Sequence, residues 1–558
     1  MADQPLLVFG TRSTTYDFGP THPLTPRRFG PGIDLLRTLG ASPSLAPEPA
    51  ADEALLACHT AAYVNAVRRF SEPDTEPWAG SSVGIGPGDD PPFVGMHDAA
   101  ASVADGSIRA MDAILRGEVE HAFHPGGGLH HAMPARASGF CIYNDPALAI
   151  ARARAARFRV LYVDLDVHHG DGVEAIHAAD PGVLTLSIHE SGRYLFPGTG
   201  FAWDLGEGDA AGTVVNVPLE PGTGEQSWLA AVDALLPELA ASFAPDIIVS
   251  QHGCDTHATD PLAHLNVTTT AMGRAARLVD HVAHRFAGGR WLATGGGGYG
   301  VYRVVPRAWS HVWLAAAHRE APDRLPAEWR ERWAGEAARY GDRELPTALD
   351  DPPNAGLPFD SAQAETEAAS AETTALVRRV AVPRLIREAV DRGWWRPLDR
   401  PPAALGGEAS GAPVVVRNVD ATALGTFHLA ARVMPGVDAG SLAGAVAAGE
   451  LAVTAAMSGD VIVGLVASSA GELLAVGVAP EFRRKGLATR LLQAHVAERP
   501  GPWTASVTLA ERDPIDPLPV ATRAAAARQL LERAGFRVTA ATGAVARLDP
   551  HALEAAKN

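Results

Sequence analysis

The sequence predicts an α/β protein with a parallel sheet covered by helices on both faces, followed by a smaller α+β domain. Two observations carry this prediction. Between about residues 130 and 315, short apolar runs alternate with longer stretches of helical periodicity. After about residue 413, a second set of apolar runs begins behind a segment rich in proline and glycine.

The first set of runs supplies the strands and helices of the parallel sheet. Strands are predicted at residues 159–165, 183–188, 247–250 and 291–294, and helices at 228–243 and 272–286. Residues 320–395 are more charged and mostly helical in pattern, and Pro383 is predicted to kink or break a helix there. Ligands of parallel sheets bind at the carboxyl ends of the strands. Polar residues that follow these runs are therefore candidates for a functional site.

The second set of runs predicts the smaller domain. Strands are predicted at residues 414–417, 451–456, 461–467 and 473–478, before a basic turn that opens a helix. The preceding segment contains Pro401, Pro402 and several glycines, which is the composition of a linker. The predicted domains are residues 1–395 and 413–558, joined by a linker at 396–412.

Composition narrows the class of protein. At 558 residues the chain is too long for one core, and its length predicts two to four domains. The formal net charge of −17 argues against general affinity for nucleic acid or anionic membranes. Three widely spaced cysteines favour a reducing compartment and exclude a cysteine-rich zinc site. The sequence shows no signal-peptide pattern and no run near the roughly 18 apolar residues of a membrane span. A cytoplasmic protein is predicted.

A cluster of polar residues closes the strand predicted at 159–165. Side chains of an extended chain alternate, so Asp164, Asp166 and His168 lie on one face. Such groups are costly to desolvate at the end of a buried strand unless a positive charge compensates them. Carboxylate and imidazole ligands suit zinc. On this run alone, a calcium or magnesium site and a two-metal site remain alternatives.

Three further segments complete a constellation. His130 and His131 follow a glycine run, Asp255 follows the strand predicted at 247–250, and Tyr299 follows four glycines. Apolar runs on both sides of the four glycines favour a buried loop over a linker. These segments, in this order, resemble the zinc-dependent histone deacetylase family from about residue 5 to about residue 390. The opening run at 16–23 is similar to that of its bacterial acetoin-utilisation branch. The resemblance implies the arginase/deacetylase-type parallel sheet.

The resemblance also implies a metal centre. Zinc, or iron(II), is expected on Asp166, His168 and Asp255, which leaves the open position that catalytic zinc requires. Asp164 and Ser187 are expected to help hold a structural monovalent cation, K⁺ or Na⁺.

The same resemblance assigns the proton-transfer groups. His131 is expected to be the main general base and acid, oriented by Asp171, and His130 its electrostatic partner, oriented by Asp164. Tyr299 is expected to donate a hydrogen bond to the oxyanion.

A substrate channel follows from the family pattern as well. Gly139, Phe140 and Phe196 are expected to line it, with Leu262 near its mouth. Asp89 matches the rim aspartate that grips the backbone of the substrate.

The basic turn of the second domain resembles the acetyl-coenzyme-A-binding motif of the GNAT superfamily of N-acetyltransferases. A helix N-terminus suits a pyrophosphate, and small residues let it approach the backbone. The expected cofactor-binding residues are Val478, Arg483, Arg484, Lys485, Gly486, Leu487, Ala488 and Thr489. The alternative is a solvated basic turn. Leu531 stands where many members carry a tyrosine general acid, so the domain is either a transferase with other groups or a sensor of acetyl-coenzyme A.

The predicted function is therefore zinc-dependent deacetylation of acetyl-lysine on proteins, with an acyl-CoA synthetase as a candidate substrate. Neither nucleic acid nor membrane is an expected partner. The alternative is an acetylpolyamine amidohydrolase with a non-catalytic, acetyl-CoA-sensing domain. Extra carboxylates at the rim and a narrowed channel would favour that alternative.

Overall fold

The protein divides into two compact units, each with its own sheet. The computed structural model describes residues 4–73, 75–352, 361–391, 414–426, 428–429, 433, 439–458, 461–479, 486–499, 503–506, 520–534, 536–538 and 545–548. The first unit comprises Met1–Val232 and Ala244–Val377, and the second comprises Asp233–Phe243 and Arg378–Asn558. The linker predicted at 396–412 lies outside the described residues, so the predicted domain boundaries stay a prediction.

The first unit is built on a sheet whose described strands all pair in parallel. The strands are β1 (Leu6–Val8), β2 (Pro43–Leu45), β3 (His121–His124), β4 (Val160–Asp164), β5 (Val183–Glu190), β6 (Val214–Leu219), β7 (Ile247–Gln251) and β8 (Trp291–Thr294). Their order across the sheet is β2-β1-β3-β8-β7-β4-β5-β6. Every residue of β4, β5 and β7 is buried, as expected of parallel strands with covered faces.

Helices lie between and after these strands in the chain. They are α1 (Phe29–Thr38), α2 (Asp52–Leu55), α3 (Ala61–Phe70), α4 (Met96–Leu115), α5 (Asp145–Ala155), α6 (Asp171–His177), α7 (Glu225–Phe243), α8 (Thr269–Phe286), α9 (Val305–Ala316), α10 (Ala327–Arg339) and α11 (Ser361–Asp391). Short 3-10 helices span Thr11–Thr14, Pro26–Arg28, Pro77–Val83 and Gly208–Ala210. Across the described residues, no helix combines the length and the apolar composition that a bilayer crossing requires.

The predicted strands and helices of the first unit are confirmed, with boundaries shifted by a few residues. The break predicted at Pro383 is not observed, and the kink stays a prediction. This proline was predicted to kink or break a helix, and α11 continues through it without a break. A proline removes one backbone hydrogen bond, and a helix of 31 residues keeps enough others to continue.

The second unit contains a mixed sheet. Its strands are β9 (Val415–Val419), β10 (His428–Leu429), β11 (Ala452–Ser458), β12 (Val461–Ser469), β13 (Glu472–Val478), β14 (Trp503–Ser506), β15 (Phe536–Val538) and β16 (Val545–Leu548). The order is β15-β16-β14-β13-β12-β11-β9, with β10 beside β12. The helices are α12 (Ala421–Thr426), α13 (Ala439–Ala447), α14 (Leu487–Ala497) and α15 (Val520–Arg533). The four strands predicted here correspond to β9, β11, β12 and β13, which confirms the α+β class.

Candidate active site

A pocket of about 210 Å³ lies where the loops after β3, β4, β7 and β8 meet. These loops leave the carboxyl ends of four strands of the parallel sheet, the edge at which such folds bind ligands. The lining contains His130 and His131 after β3, Asp166 and His168 after β4, and further residues after β7 and β8. Segments that are far apart in the sequence are thereby brought to one place.

The loop after β3 is fixed by the start of α5. The amide of Asn144 donates to the carbonyl oxygens of His130 (3.1 Å) and Ala132 (3.0 Å). The carboxylate of Asp145 accepts the backbone N–H groups of Gly128 and Leu129 at 2.8–3.1 Å. Asn144 also caps α5 by accepting the N–H of Ala147. The helix start therefore holds the two histidines in place.

Each of these histidines has a carboxylate partner. Nδ1 of His130 lies 2.7 Å from Asp164 and Nδ1 of His131 lies 2.7 Å from Asp171. Burial lowers the pKa of His130, but the carboxylates of Asp164 and Asp166 outweigh burial and raise it to about 9. Burial and the neighbouring His130 lower the pKa of His131 to about 4. The carboxylates thus favour the protonated form of His130, whereas burial and His130 favour the neutral form of His131, which can accept a proton.

Asp166, His168 and Asp255 offer three ligand atoms that lie within 4.8 Å of one another. Nδ1 of His168 is 3.1 Å from Asp166 and 3.3 Å from Oδ2 of Asp255. Burial and Asp166 raise the pKa of Asp255, since two carboxylates share this buried site. Oδ2 of Asp255 is buried without a hydrogen-bond partner in the described residues. The set fits a divalent metal ion, because one nitrogen and two carboxylate ligands leave a coordination position open.

The four-glycine run after β8 packs directly on this cluster. A Cβ atom on Gly297 would lie 1.9 Å from Oδ2 of Asp255, and one on Gly296 would lie 2.2 Å from the side chain of Gln251. The N–H of Gly297 donates to Asp166 at 2.8 Å. The run is therefore a loop packed on the carboxylates and not a linker. Glycine is needed there, because any side chain would prevent so close an approach of the backbone.

Tyr299 follows the glycine run and lines the same pocket. Its backbone N–H donates to Asp260 at 3.0 Å. Burial raises the pKa of its hydroxyl well above 10, and the charges of Asp255 and Asp166 raise it further. The phenol is therefore a proton-bearing hydrogen-bond donor at any ordinary pH.

All five residues expected in the substrate channel line this pocket, namely Asp89, Gly139, Phe140, Phe196 and Leu262. The Phe196 ring stacks edge-on against His131 at a centroid distance of 5.0 Å, and the Phe140 ring lies 6.1 Å from that of Tyr299. A Cβ atom on Gly139 would lie 2.5 Å from the His131 ring, so a glycine is required there.

The two residues expected to help hold a monovalent cation are neighbours in the sheet. Asp164 and Ser187 are paired across β4 and β5. The hydroxyl of Ser187 lies 2.8 Å from Nδ1 of His189, and Tyr162 donates to Asp164 at 2.7 Å. Neighbouring side chains thus already satisfy both groups, and the cation stays a prediction.

Sequence reasoning missed several residues that support the site. Gln251 donates to Asp166 at 2.6 Å, and the buried Arg28 donates to the carbonyl oxygen of Gly296 at 2.7 Å. Tyr16 donates to the carbonyl oxygen of Phe140 at 2.8 Å. Gln251 could have been found, because it ends β7 four residues before Asp255. Arg28 carries no such signal in the sequence.

The second unit holds the remaining candidate residues. Val478 ends β13, Gly486 precedes α14 with a left-handed φ of 72°, and Leu487, Ala488 and Thr489 form the first turn of that helix. Arg483, Arg484 and Lys485 lie outside the described residues. Leu531 on α15 is buried in the core of this unit.

Known proteins resemble both units. The family model described as "Histone deacetylase domain" matches residues 22–316, and that of "FR47-like protein" matches residues 454–545. The acetoin utilization protein AcuC of Bacillus subtilis is 42% identical over 332 residues, which cover 59% of this chain and 86% of that protein. The AcuC protein of Staphylococcus xylosus is 37% identical over 349 residues, 62% of this chain and 90% of that protein.

Solved structures agree with these matches. The crystal structure of a histone deacetylase (HDAC) homolog from Aquifex aeolicus matches with a TM-score of 0.58 and 28% identity. The match covers 66% of this chain and all of that chain. A second crystal structure, of an HDAC homolog complexed with SAHA, matches equally well. The FR47-like match gives the chain a GNAT-like domain at its C-terminal end. Since the deacetylase match spans more than half of the residues and lies on the segments that build the pocket, the chain belongs to the histone deacetylase family.

Proposed function

We propose that the N-terminal domain, residues 1–395, removes acetyl groups from lysine side chains of proteins. The observation that carries this proposal is the composition of one pocket. Its base holds a three-ligand metal set and a neutral histidine paired with a carboxylate, and its walls are apolar. The metal ion, zinc or iron(II), would be held by Asp166, His168 and Asp255.

The residues of the pocket divide the hydrolysis between them. A metal ion bound by the three ligands would polarise the acetyl carbonyl and lower the pKa of a water molecule. His131 has Nδ1 engaged with Asp171, so its Nε2 takes the proton of the attacking water and returns it to the departing amine. The charged His130 stabilises the developing negative charge. Tyr299 donates its O–H to the oxyanion.

The walls of the pocket support an acyl-lysine substrate. Phe140 and Phe196 line the pocket together with Leu24, Leu195 and Leu262. An apolar wall suits the four methylene groups of lysine, while the amide reaches the polar base. Burying a methylene group contributes about 0.8 kcal/mol, so a chain of four is a sizeable part of the affinity.

The polar lining favours a peptide over a polyamine. Among the described residues that line the pocket, the carboxylates are Asp89, Asp166 and Asp255. Two of them are the proposed ligands, which leaves Asp89 as the one carboxylate for the substrate. Asp89 is exposed, and His22 contacts its carbonyl oxygen at 3.0 Å. A single carboxylate suits the backbone N–H groups of a peptide, whereas a polyamine with several ammonium groups would gain from more.

The test compares two substrates with the full-length protein. We expect kcat/KM for an acetyl-lysine peptide to exceed that for N-acetylspermidine by at least about tenfold, which is about 1.4 kcal/mol of transition-state binding. Asp89→Ala should raise KM for the peptide more than it lowers kcat. A preference for N-acetylspermidine would refute the lysine assignment. Absence of hydrolysis of either substrate by the metal-loaded protein would refute the amidohydrolase itself.

We further propose a cytoplasmic role and an acyl-CoA synthetase as the acetylated substrate. Support for this comes from the similarity to proteins named acetoin utilization protein. Incubation of acetylated synthetase with the protein, followed by mass spectrometry of the modified lysine, tests the assignment. An unchanged acetylation level would contradict it.

The C-terminal domain, residues 413–558, is proposed to bind acetyl-coenzyme A. Gly486 supports this, because its φ of 72° turns the chain into α14 and no atom of the described residues beyond its chain neighbours would lie within 4 Å of a Cβ there. A helix N-terminus with a small residue before it suits a pyrophosphate, because its free N–H groups can bind an anion. The strand before this turn also leaves backbone groups available to a ligand. In the described residues β13 pairs with β14 only at Glu472 and Leu473, and Leu474 is half exposed. Calorimetry with acetyl-coenzyme A tests the proposal, and absence of heat or of saturation would refute it.

A further inference from the structure

A second cluster of metal-ligating side chains lies at the opposite end of the parallel sheet. His121 starts β3, Asp280 and His284 lie one turn apart near the end of α8, and His318 follows α9. The active-site loops leave the carboxyl ends of β3 and β8, whereas His121 pairs with Trp291 at their amino ends. This cluster therefore belongs to neither the pocket nor its supports.

The four side chains converge on one point. Their ligand atoms all lie within 4.8 Å of one another. The three imidazole rings have centroid separations of 4.9, 4.9 and 5.1 Å, so they stand almost symmetrically around a centre. Oδ1 of Asp280 lies 3.5 Å from Nε2 of His121, 3.4 Å from that of His284 and 3.2 Å from that of His318.

These spacings are those of a tetrahedral metal site. Ligand atoms at 2.0–2.1 Å from a tetrahedral zinc ion are separated from each other by about 3.3 Å. The separations to Asp280 are 3.2–3.5 Å, and Nε2 of His284 lies 3.0 Å from Nε2 of His318. Small adjustments within ordinary side-chain motion would therefore complete the coordination.

His121 is already oriented as a ligand. Its Nδ1 lies 2.8 Å from the carbonyl oxygen of Ala316, which can only accept, so the proton of the neutral ring is on Nδ1. Its Nε2 then presents a lone pair to the cluster. That atom is buried and has no hydrogen-bond partner in the described residues, and the residue is 5% exposed. A histidine that binds a metal through one ring nitrogen usually donates a hydrogen bond from the other nitrogen to a carbonyl or carboxylate oxygen, which fixes the orientation of the ring.

The other members supply charge and access. Oδ1 of Asp280 faces all three imidazole rings, and a carboxylate supplies negative charge for a divalent ion. His318 occupies the left-handed position after α9, with a φ of 51°, where glycine is the usual residue. That turn directs its ring to Asp280. The side chain of His318 is 44% exposed, which gives an ion a route from solvent.

We propose that His121, Asp280, His284 and His318 form a second, structural site for a divalent transition metal, with zinc as the preferred ion. Four protein ligands and no open position are typical of structural zinc. Three nitrogens and one oxygen disfavour calcium and magnesium, which take oxygen ligands. A bound ion would link β3, α8 and the end of α9 at the edge of the sheet away from the pocket.

The experiment counts zinc in the full-length protein after chelation and reconstitution by dialysis. Asp255→Ala isolates the second site from the proposed catalytic one. We expect one zinc per chain in Asp255→Ala and none in Asp255→Ala/His318→Ala. His318 is chosen because it is the most exposed member, and circular dichroism verifies that its variant folds. In the Asp255→Ala background, zinc should raise the unfolding midpoint, and His318→Ala should remove that rise.

A matched control uses an exposed histidine that contacts a single carboxylate. His264 lies 2.9 Å from Glu190 and its side chain is 65% exposed. His264→Ala in the Asp255→Ala background should keep one zinc. Equal zinc contents with and without His318 would overturn the proposal. The four side chains would then form a hydrogen-bonded cluster that binds no metal ion. An equal loss in the His264→Ala control would also overturn it. Because the comparison is made without Asp255, it does not depend on the catalytic assignment.

Discussion

Replacing Gly297 by alanine adds one methyl group at the proposed metal centre. The new Cβ atom would lie 1.9 Å from Oδ2 of Asp255, where real Cβ contacts essentially never fall under 3.0 Å. One of the two groups must therefore move by about 1 Å. The glycine cannot yield freely, because its N–H donates to Asp166 at 2.8 Å and its carbonyl oxygen accepts from Cys254 at 2.9 Å.

The size of this shift sets the expected effect. Metal–ligand distances are defined to about ±0.2 Å, so a shift of about 1 Å is several times too large for a ligand of the centre. Misplacing reacting groups by about 1 Å costs on the order of 10²-fold in rate. The φ of Gly297 lies outside the left-handed region, so alanine adds no backbone strain and the effect isolates the steric contact.

The assay combines turnover of an acetyl-lysine peptide with zinc content and circular dichroism. We expect Gly297→Ala to fold, to lose one equivalent of zinc and to turn over at least about 100-fold more slowly. Gly335→Ala is the matched control, because Gly335 lies in α10 and, beyond the helix's own backbone, no described residue lies within 4 Å of the added methyl group. Full zinc content and turnover within about threefold of wild type in Gly297→Ala would refute the assignment of Asp255 as a ligand beside this loop.

Three further changes test the other proposed roles. Tyr299→Phe should keep its zinc and lose roughly 10²–10³-fold in turnover, and a loss under about threefold would exclude Tyr299 as the oxyanion donor. Asp171→Asn removes the carboxylate that orients His131, so turnover should fall by roughly 10²–10⁴-fold at unchanged zinc content, and wild-type turnover would exclude the orienting role of Asp171. Gly486→Glu should abolish acetyl-coenzyme A binding measured by calorimetry, because it places a negative charge before the N-terminus of α14. Gly449→Glu controls for backbone strain, since Gly449 has a similar φ of 74° and, among the described residues, also has no atom within 4 Å of an added Cβ. Equal affinity for acetyl-coenzyme A in both variants would contradict the site.

Local pattern was sufficient to predict most of the first unit. Strands that are buried on both faces read as continuous apolar runs, and β7 and β8 begin where such runs begin. The placement of Asp166 and His168 on one face follows from the two-residue period of an extended chain. Their proximity to Asp255 required more, namely that β4 and β7 are neighbours in the sheet, which the family resemblance supplied and the register of the strands shows.

Long-range contacts could not be read from the sequence in the same way. Arg28 reaches Gly296 across 268 residues, and the fourth ligand of the second cluster, His318, comes from a helix end. Within that cluster the one local signal is the pair Asp280 and His284, four residues apart on α8 and therefore on one helical face. Such pairs are common on helices, so this pair alone does not predict a metal site. The site becomes visible only when the folded structure places His121 beside the pair.

The buried position of Leu531 bears on the chemistry of the second domain. Its side chain is 3% exposed and belongs to the same core as Leu465, Leu491 and Val496. A tyrosine there would need room for a larger ring and a partner for a buried hydroxyl, at a cost of about 1–3 kcal/mol if the hydroxyl found none. A tyrosine at position 531 would therefore strain this core. Because a leucine side chain carries no ionisable proton, residue 531 cannot serve as a general acid in this domain.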